Sequence, residues 1–485
     1  MNRIFLFIGL FLSLISSSEI LSSKPKNPVN VIILFVDDMG YGDIAAHGNP
    51  IIKTPNFDSL HDQCARFTNF AVSPTCAPTR AALLTGKHEF LSSVTHTIKP
   101  MRNMNPKSTT IANLFQKKGY KTGIFGKWHL GQSEKYGPWF RGFDETLTVP
   151  GDNQRSHFDP TLLKNRVATK FKGYRTDILF DEAMKFITDQ KDTSFFCYLA
   201  TYSPHSPHNV PKMYSDPYEA YRNPEKPNEK FNPDFNGQIA NVDENLGRLR
   251  AHLKSLGLDN NTLLIVLNDN GGTSGVDTFN DGRRGTKGTI WSGGTRAYSF
   301  WKLGERFSAG VRKQMSGHVD ILPTLADLCD LEIPANLHEQ LEGNSLRSVL
   351  ENAKATLDEN RMQVHHVGRW DIPENWADHK YAYCSVRWKQ YTLVRIEPCN
   401  DKNCKTCFRA LNRPIGKYKL MYSNNIEHFP LTTPGQWELF DIEADPFQET
   451  NIAAKKPDIV KKMSDFYDVW WEKVKVELTA RWGEN

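Results

Sequence analysis

The sequence predicts an α/β fold: a large, mostly parallel sheet sandwiched by helices, with a smaller C-terminal α+β domain carrying a short antiparallel sheet. Three observations predict it. Apolar, β-branched runs alternate with helix-like segments through about residue 330. Four of these runs end in polar residues of the kind that carry chemistry. After about residue 355 the alternation gives way to short strand-like segments and one long helical segment.

The first of the four strands, Val31 to Val36, leads into Asp37-Asp38. The second, Lys121 to Phe125, leads into Gly126-Lys127-Trp128-His129. Phe195 to Ala200 leads into Pro204-His205, and Thr262 to Leu267 leads into Asn268-Asp269-Asn270-Gly271-Gly272. Open α/β sheets bind ligands beyond the carboxyl ends of their strands, so the four ends are expected to meet in one crevice. Between them a helix is expected, with Pro78 suited to its first turn and Gly86 to the residue just past its end, so that Cys76 sits at or just before its N-terminus. Further helices are expected over Thr110 to Lys118, Asp177 to Gln190 and Gly237 to Leu256. In the last, Asp243, Leu246 and Leu249 form a repeating face of ordinary packing. Tyr381 to Arg387, Gln390 to Ile396 and Trp437 to Asp441 read as antiparallel strands, and Asp458 to Val476 as a helix entered through Pro457. These readings divide the chain into a catalytic domain over 27–355 and an α+β subdomain over 356–485.

The 485 residues suffice for two or three domains and a large core. Charged residues at 24% and hydrophobic ones at 39% suit a globular enzyme. The net charge of +5 is weak and dispersed, which argues against a nucleic-acid partner while suiting an anionic substrate. Arg3, the apolar run Ile4 to Ile15 and Ser16-Ser17-Ser18 read as a signal peptide over 1–18. An exported protein is expected, in the periplasm, the extracellular space or the lysosomal lumen. The apolar run is short for a bilayer span and nothing else is long enough, so an integral membrane protein is not expected. Eight cysteines in an exported chain predict disulfides, with a pair or two among Cys384, Cys399, Cys404 and Cys407. A zinc site from these four is disfavoured, because export works against free thiolates and no histidine sits at matching spacing. Asn260-Asn261-Thr262 is a glycosylation sequon.

Cys76 carries the strongest chemical signal. At a helix N-terminus the outward N–H groups and the helix dipole favour a nucleophilic anion, and Arg80 lies one turn on. Asp37-Asp38 and Asp269-Asn270 taken singly read as turns; together they offer an all-oxygen site for Ca²⁺ or Mg²⁺. Lys127 and His129, two apart, can point to one side of an extended segment. In Ser203-Pro204-His205-Ser206-Pro207-His208 the prolines stiffen a loop suited to a positioned acid or base, and spacing does not choose between His205 and His208. Lys287, in Arg283-Arg284-Gly285-Thr286-Lys287-Gly288, lies in a basic, glycine-bracketed loop able to approach an anion.

The run Cys76-Ala77-Pro78-Thr79-Arg80 through Thr85-Gly86 resembles the signature of the type I, formylglycine-dependent sulfatases of the alkaline phosphatase superfamily. Further pieces stand in family order: Asp37 to Asp43, Thr54-Pro55-Asn56, Gly126 to Gly131, Pro204-His205, Asp269 to Gly272, Arg284 to Lys287, His318 to Thr324 and Glu438 to Asp441. The resemblance implies that a maturation enzyme oxidises Cys76 to formylglycine, whose hydrate attacks sulfate esters. It implies that Asp37, Asp38, Asp269 and Asn270 bind the metal together with the modified Cys76. Arg80 and Lys127 would then hold the ionised hydrate, while Lys127, His205 and Lys287 contact the sulfate. His205, not His208, matches the family position. Asp269 would take the attacking hydroxyl's proton, His205 with Lys287 would protonate the leaving alcohol, and His129 would deprotonate the second hydroxyl to expel sulfate. Thr79 stands where many relatives have Ser, Ser292 where Glu is frequent, and Ala297-Tyr298-Ser299 where a Pro-containing stretch is usual. A sulfated sugar or polysaccharide is the expected substrate, with Trp139, Arg141, His365, His366, Arg369 and Trp370 as candidate sugar contacts. The alternatives are a formylglycine-dependent phosphonate monoester or phosphodiester hydrolase, and a non-catalytic binder of sulfated glycans.

Overall fold

The computed structural model describes residues 28–152, 156–222, 231–370, 373–404, 407 and 432–483. The signal peptide expected over 1–18 lies outside them. The strands of the main sheet are β1 (Asn30–Asp37), β2 (Ala65–Phe67), β4 (Lys121–Gly126), β5 (Glu145–Thr148), β6 (Thr161–Lys164), β7 (Val167–Lys170), β8 (Phe195–Pro204), β9 (Thr262–Asn268), β10 (Ser299–Lys302) and β11 (Gly310–Arg312). A two-stranded ribbon pairs β3 (Phe70–Ala71) with β12 (Ser316–Gly317). The order in the main sheet is β11-β2-β10-β9-β1-β8-β4-β5-β6-β7. Its centre is parallel: β1 lies between β8 and β9, and β4 lies between β8 and β5. Antiparallel pairs β10–β9, β10–β2, β5–β6 and β6–β7 extend it toward the edges.

Strands β1, β8 and β9 are buried along their whole length, which is why they read as unbroken apolar runs. The helices used below are α1 (Pro55–Gln63), α2 (Cys76–Thr85), α3 (Ile111–Lys117), α4 (Arg175–Asp189), α5 (Lys212–Glu219), α6 (Pro233–Ser255), α7 (Ser292–Thr295) and α8 (Ile321–Cys329). Successive residues of β1 face opposite layers. Val31, Ile33 and Phe35 pack in a core with α2, α3 and α8. Ile32, Leu34 and Val36 pack in a second core with α1, α4 and α6.

Local chemistry sets the helix ends. Thr110 and Asn113 form a reciprocal capping box at the start of α3. Helix α6 begins upstream of the expected Gly237, because the Asn232 side chain accepts from the N–H groups of Asp234 and Phe235 and Pro233 occupies the first turn. Asp243 does more than pack: its carboxylate accepts from the backbone of Asn56 and Phe57, tying α6 to the start of α1.

Near the C-terminus, β13 (Met362–His366), β14 (Cys384–Trp388), β15 (Tyr391–Arg395) and β16 (Trp437–Asp441) form an antiparallel sheet in that order. The helix Pro457–Trp482 packs on it through Tyr467, Trp470 and Trp471, in a core that also takes in Phe90 and Trp370. Strand β13 was not expected, and the strand read from Tyr381 begins at Cys384. Among the described residues, no helix is long and apolar enough to cross a membrane.

The expected disulfides are corrected: all eight cysteines are free thiols. Cys384 belongs to β14, where its thiol turns to the Arg395 carbonyl at 3.8 Å. Cys64, Cys197 and Cys329 are separately buried in the cores of the larger unit.

Candidate active site

The four strand ends converge as expected. Register pairing sets Asp37 at the end of β1 against Pro204 of β8, and Val36 against Asn268 of β9, so Asp37, His205 and Asp269 emerge at one edge. Gly126, at the end of β4, has φ 115°, and a Cβ there would lie 1.8 Å from the Ala200 carbonyl oxygen. Only glycine lets the chain turn there and deliver Lys127. Asp38 and His129 hold positive φ, 66° and 62°, without being glycine. Such backbone strain gathers at functional sites.

Helix α2 brings Cys76 to the same place. The Thr75 side chain makes no cap bond to the first turn, so the N-terminal end of the dipole is directed at the site. Thr79 bonds back to the carbonyls of Ser73 and Thr75, both at 3.1 Å, and thereby fixes the approach to Cys76. Gly86 ends the helix at φ 68°. The His318 motif acts on the same approach, since His318 Nε2 lies 2.8 Å from Ser73 Oγ.

A buried ionic network fills the centre. Lys127 Nζ donates to both oxygens of Asp37, at 2.9 and 2.7 Å. Arg80 donates to Asp269 Oδ2 at 2.9 Å, to Asp37 Oδ1 at 3.4 Å and to the Lys127 carbonyl at 3.1 Å. Lys287 Nζ reaches Asp38 Oδ1 at 2.5 Å, and His205 Nε2 lies 3.6 Å from Asp38 Oδ2. Cys76 Sγ and oxygens of Asp37 and Asp269 lie within 4.8 Å of one another. His129 Nδ1 is 3.4 Å from Cys76 Sγ, and its Nε2 is held by the Thr97 carbonyl at 3.1 Å.

Charge and burial compete here. Burial alone would raise Asp37, but Lys127, His205 and Arg80 hold its carboxyl well below the usual range. Asp38 is lowered too: burial works against this, and Lys287 and His205 prevail. Asp269 goes the other way, raised well above its ordinary value by burial and by the neighbouring Asp37. Burial would also raise the Cys76 thiol, yet Lys127 and Lys287 bring it down, so position 76 favours an anion.

The residues fit a divalent cation. Asn270 turns Nδ2 toward Asp38 Oδ1 at 3.0 Å, and its Oδ1 is buried with no hydrogen-bond partner. A buried amide oxygen on a residue bonded to Asp38, together with the Asp37 and Asp269 carboxylates that meet at Cys76, offers hard-oxygen donors. The two candidate histidines stand in different surroundings. His208 is occupied by Gln238 Oε1 at 3.1 Å and Ser274 Oγ at 2.9 Å, while His205 faces Asp38.

The structure corrects several sugar-contact expectations. His366 and Trp370 are buried, in ring contact with Phe90, and His366 also stacks on Trp471. The Arg141 guanidinium is taken up by the carbonyls of Phe140 and Lys135. His365 is buried, beside a cavity lined by His88, His318 and Trp470 rather than by any residue of the ionic network. Trp139 and Arg369 keep partial exposure. Ser292, at the start of α7, lines a separate cavity with Arg283, Arg296, Lys313 and Arg387. Sequence reasoning missed the supporting contacts of Thr97 and Ser73, which are backbone or hydroxyl contacts that leave no mark in residue spacing.

Comparison with known proteins identifies the family. The family model described as Sulfatase matches residues 29–331. The uncharacterised sulfatase YdeN of Escherichia coli (strain K12) is 26% identical, over 90% of this chain and 84% of its own. Arylsulfatase J of Mus musculus is 27% identical, over 90% of this chain and 74% of its own. A solved structure of a protein in complex with its substrate D-glucosamine-2-N,6-O-disulfate shares the fold, with a TM-score of 0.70, at 20% identity and 93% and 98% coverage of the two chains.

Proposed function

The chain belongs to the sulfatase family and is a sulfuric ester hydrolase, and we propose that it removes sulfate from a sulfated sugar through a nucleophile formed at Cys76. The observation that carries this reading is the meeting of Cys76 Sγ with Asp37 and Asp269 within 4.8 Å, beside His129 Nδ1. When present, formylglycine at position 76 supplies the hydrate nucleophile, and Ca²⁺ or Mg²⁺ held by Asp37, Asp38, Asp269 and Asn270 supplies Lewis acidity.

The remaining work falls to the chain's own groups. Lys127 and Lys287 bind the sulfate oxygens and stabilise the charge that develops on them. Arg80, fully buried and fixed by Asp269 and the Lys127 carbonyl, holds the nucleophile's anion in place. Asp269, held by Arg80 at 2.9 Å beside Cys76, takes the proton of the attacking hydroxyl. His205 is partly exposed and faces Asp38, which suits it to protonate the departing alcohol from the substrate side. His129, held by Thr97, takes a proton at Nδ1 in the step that restores position 76. The sugar is supported by the substrate of the structural relative, a glucosamine carrying two sulfates, and the apolar N-terminal run supports export.

The test uses the full chain co-expressed with a formylglycine-generating enzyme. The Cys76 peptide should carry the mass of the aldehyde, and an aryl sulfate and sulfated sugars should turn over faster than an aryl phosphodiester. A faster phosphodiester would move the chain to the phosphonate and phosphodiester hydrolases. An unconverted thiol with no turnover would make it a binder.

A further inference from the structure

We propose that His379, Cys399, Cys404 and Cys407 form a structural zinc site in the C-terminal unit, distinct from the active-site cation. The four side chains come from two places. His379 ends a 3₁₀ segment, Pro373–His379, ahead of β14. The three cysteines follow β15 in the spacing Cys-x4-Cys-x2-Cys. Their sulfur atoms and a ring nitrogen of His379 all lie within 4.8 Å of one another, with His379 Nε2 only 3.2 Å from Cys404 Sγ.

A tetrahedral zinc with Zn–S of about 2.3 Å and Zn–N of about 2.0 Å separates its ligand atoms by on the order of 3.5–3.8 Å. The observed cluster needs only a small contraction to reach that. Three thiolates and one imidazole fill the four positions of a closed site, which marks it as structural, not catalytic. The backbone is already arranged around sulfur: the N–H of Cys399 donates to Cys407 Sγ at 3.2 Å, and the N–H of Cys407 donates to Cys404 Sγ at 3.5 Å. Such N–H···S bonds stabilise thiolate ligands. Asp401 shapes the loop: its carboxylate accepts from the Asn403 N–H, and its carbonyl accepts from the Cys404 N–H and, at 3.8 Å, from the Cys399 thiol.

A disulfide accounts for the cluster less well. Pairing two of three cysteines leaves a buried thiol facing an imidazole. Among the described residues, the hydrophobic cluster around these thiols takes in Ala382, and a zinc ion would join the four side chains to one another. Binding releases three thiol protons and leaves His379 neutral, bonded through Nε2. The ion then pins the loop after β15 to the segment beside His366, whose Nε2 lies 3.2 Å from the His379 carbonyl.

The experiment is metal analysis of the full chain, produced with zinc in the medium and dialysed against calcium-containing buffer. About one zinc ion per chain is expected. It should persist in Asp37→Asn, which lacks an active-site ligand, and be lost in Cys404→Ser/Cys407→Ser. Cobalt replacement should give a thiolate-to-cobalt charge-transfer band with the intense visible bands of a tetrahedral ion, and this reads the wild-type chain even if the double variant fails to fold. Absence of zinc, loss of zinc in Asp37→Asn with retention in the cysteine variant, or a non-reducing peptide map joining two of the three cysteines would overturn the assignment.

Discussion

Asn270 donates through Nδ2 to Asp38 Oδ1 at 3.0 Å and to the Gly271 carbonyl at 3.1 Å, and these bonds fix the amide so that its own Oδ1 is left buried and unpartnered. An unpaired buried acceptor is costly, and a divalent cation relieves that cost. Chelation is therefore expected to abolish turnover and lower the melting temperature, with recovery on adding Ca²⁺ or Mg²⁺. At a free cation concentration about a hundredfold above Kd the stabilisation is about 2.7 kcal/mol. Thermal melts with and without chelator measure it; an unchanged melting curve would remove the cation from the site.

The two histidines should separate by leaving group. His205→Ala is expected to slow an alkyl sulfate by roughly 10²–10⁴-fold and an activated aryl sulfate far less, because a good leaving group needs no proton. His129→Ala should slow both alike, since it serves the step after the alcohol has gone. Steady-state kcat on the two substrate types checks this.

Cys76→Ala should remove turnover while keeping the fold, since α2 is buried throughout and its ends are set by residues other than Cys76. Circular dichroism alongside an aryl sulfate assay reads both. Residual turnover within about tenfold of wild type, a barrier change of only ~1.4 kcal/mol, would displace the nucleophile to another residue.

Stability should fall in mild acid through His366. Burial among aromatic rings lowers its pKa to about 4 from an ordinary value near 6.5. The unfolded chain thus binds a proton that the folded chain refuses. The associated stability is present above pH ~6.5 and is lost as pH falls toward 4, amounting to on the order of 3 kcal/mol for this residue. His366→Gln should flatten the slope of melting temperature over that window; an unchanged slope would place the titrating group elsewhere.

Trp370→Ala is expected to cost about 3–5 kcal/mol of stability, as for other buried large-to-small changes, and to leave KM for a small aryl sulfate unaltered. Denaturant melts and kinetics on the folded fraction distinguish this from a sugar contact.

The central strands and their functional ends were legible because both faces of a parallel sheet are covered, which writes a continuous apolar run followed by an abrupt polar one. Val31 to Val36 and Thr262 to Leu267 are such runs. Strand β13 was not legible, because its His365-His366 pair is polar in sequence yet buried, His366 by Phe90, Trp370 and Trp471 brought from elsewhere. The choice of His205 over His208 needed the family pattern, since only the fold shows His208 occupied by Gln238 and Ser274. The histidine of the cysteine cluster escaped notice for a similar reason: His379 precedes β14 while its partners follow β15.

Asp38 and Asp269 are joined by a backbone-to-carboxylate bond across 231 positions of chain. Lys287 closes onto Asp38 across 249. A fragment ending before β9 lacks Asp269, Asn270 and Lys287, and with them both of these closures. A partly synthesised, truncated or misassembled chain should therefore be silent, not feeble. Turnover per molecule becomes a census of correctly assembled copies, and a destabilising change far from Cys76 should reduce the number of working molecules while each survivor runs at full speed.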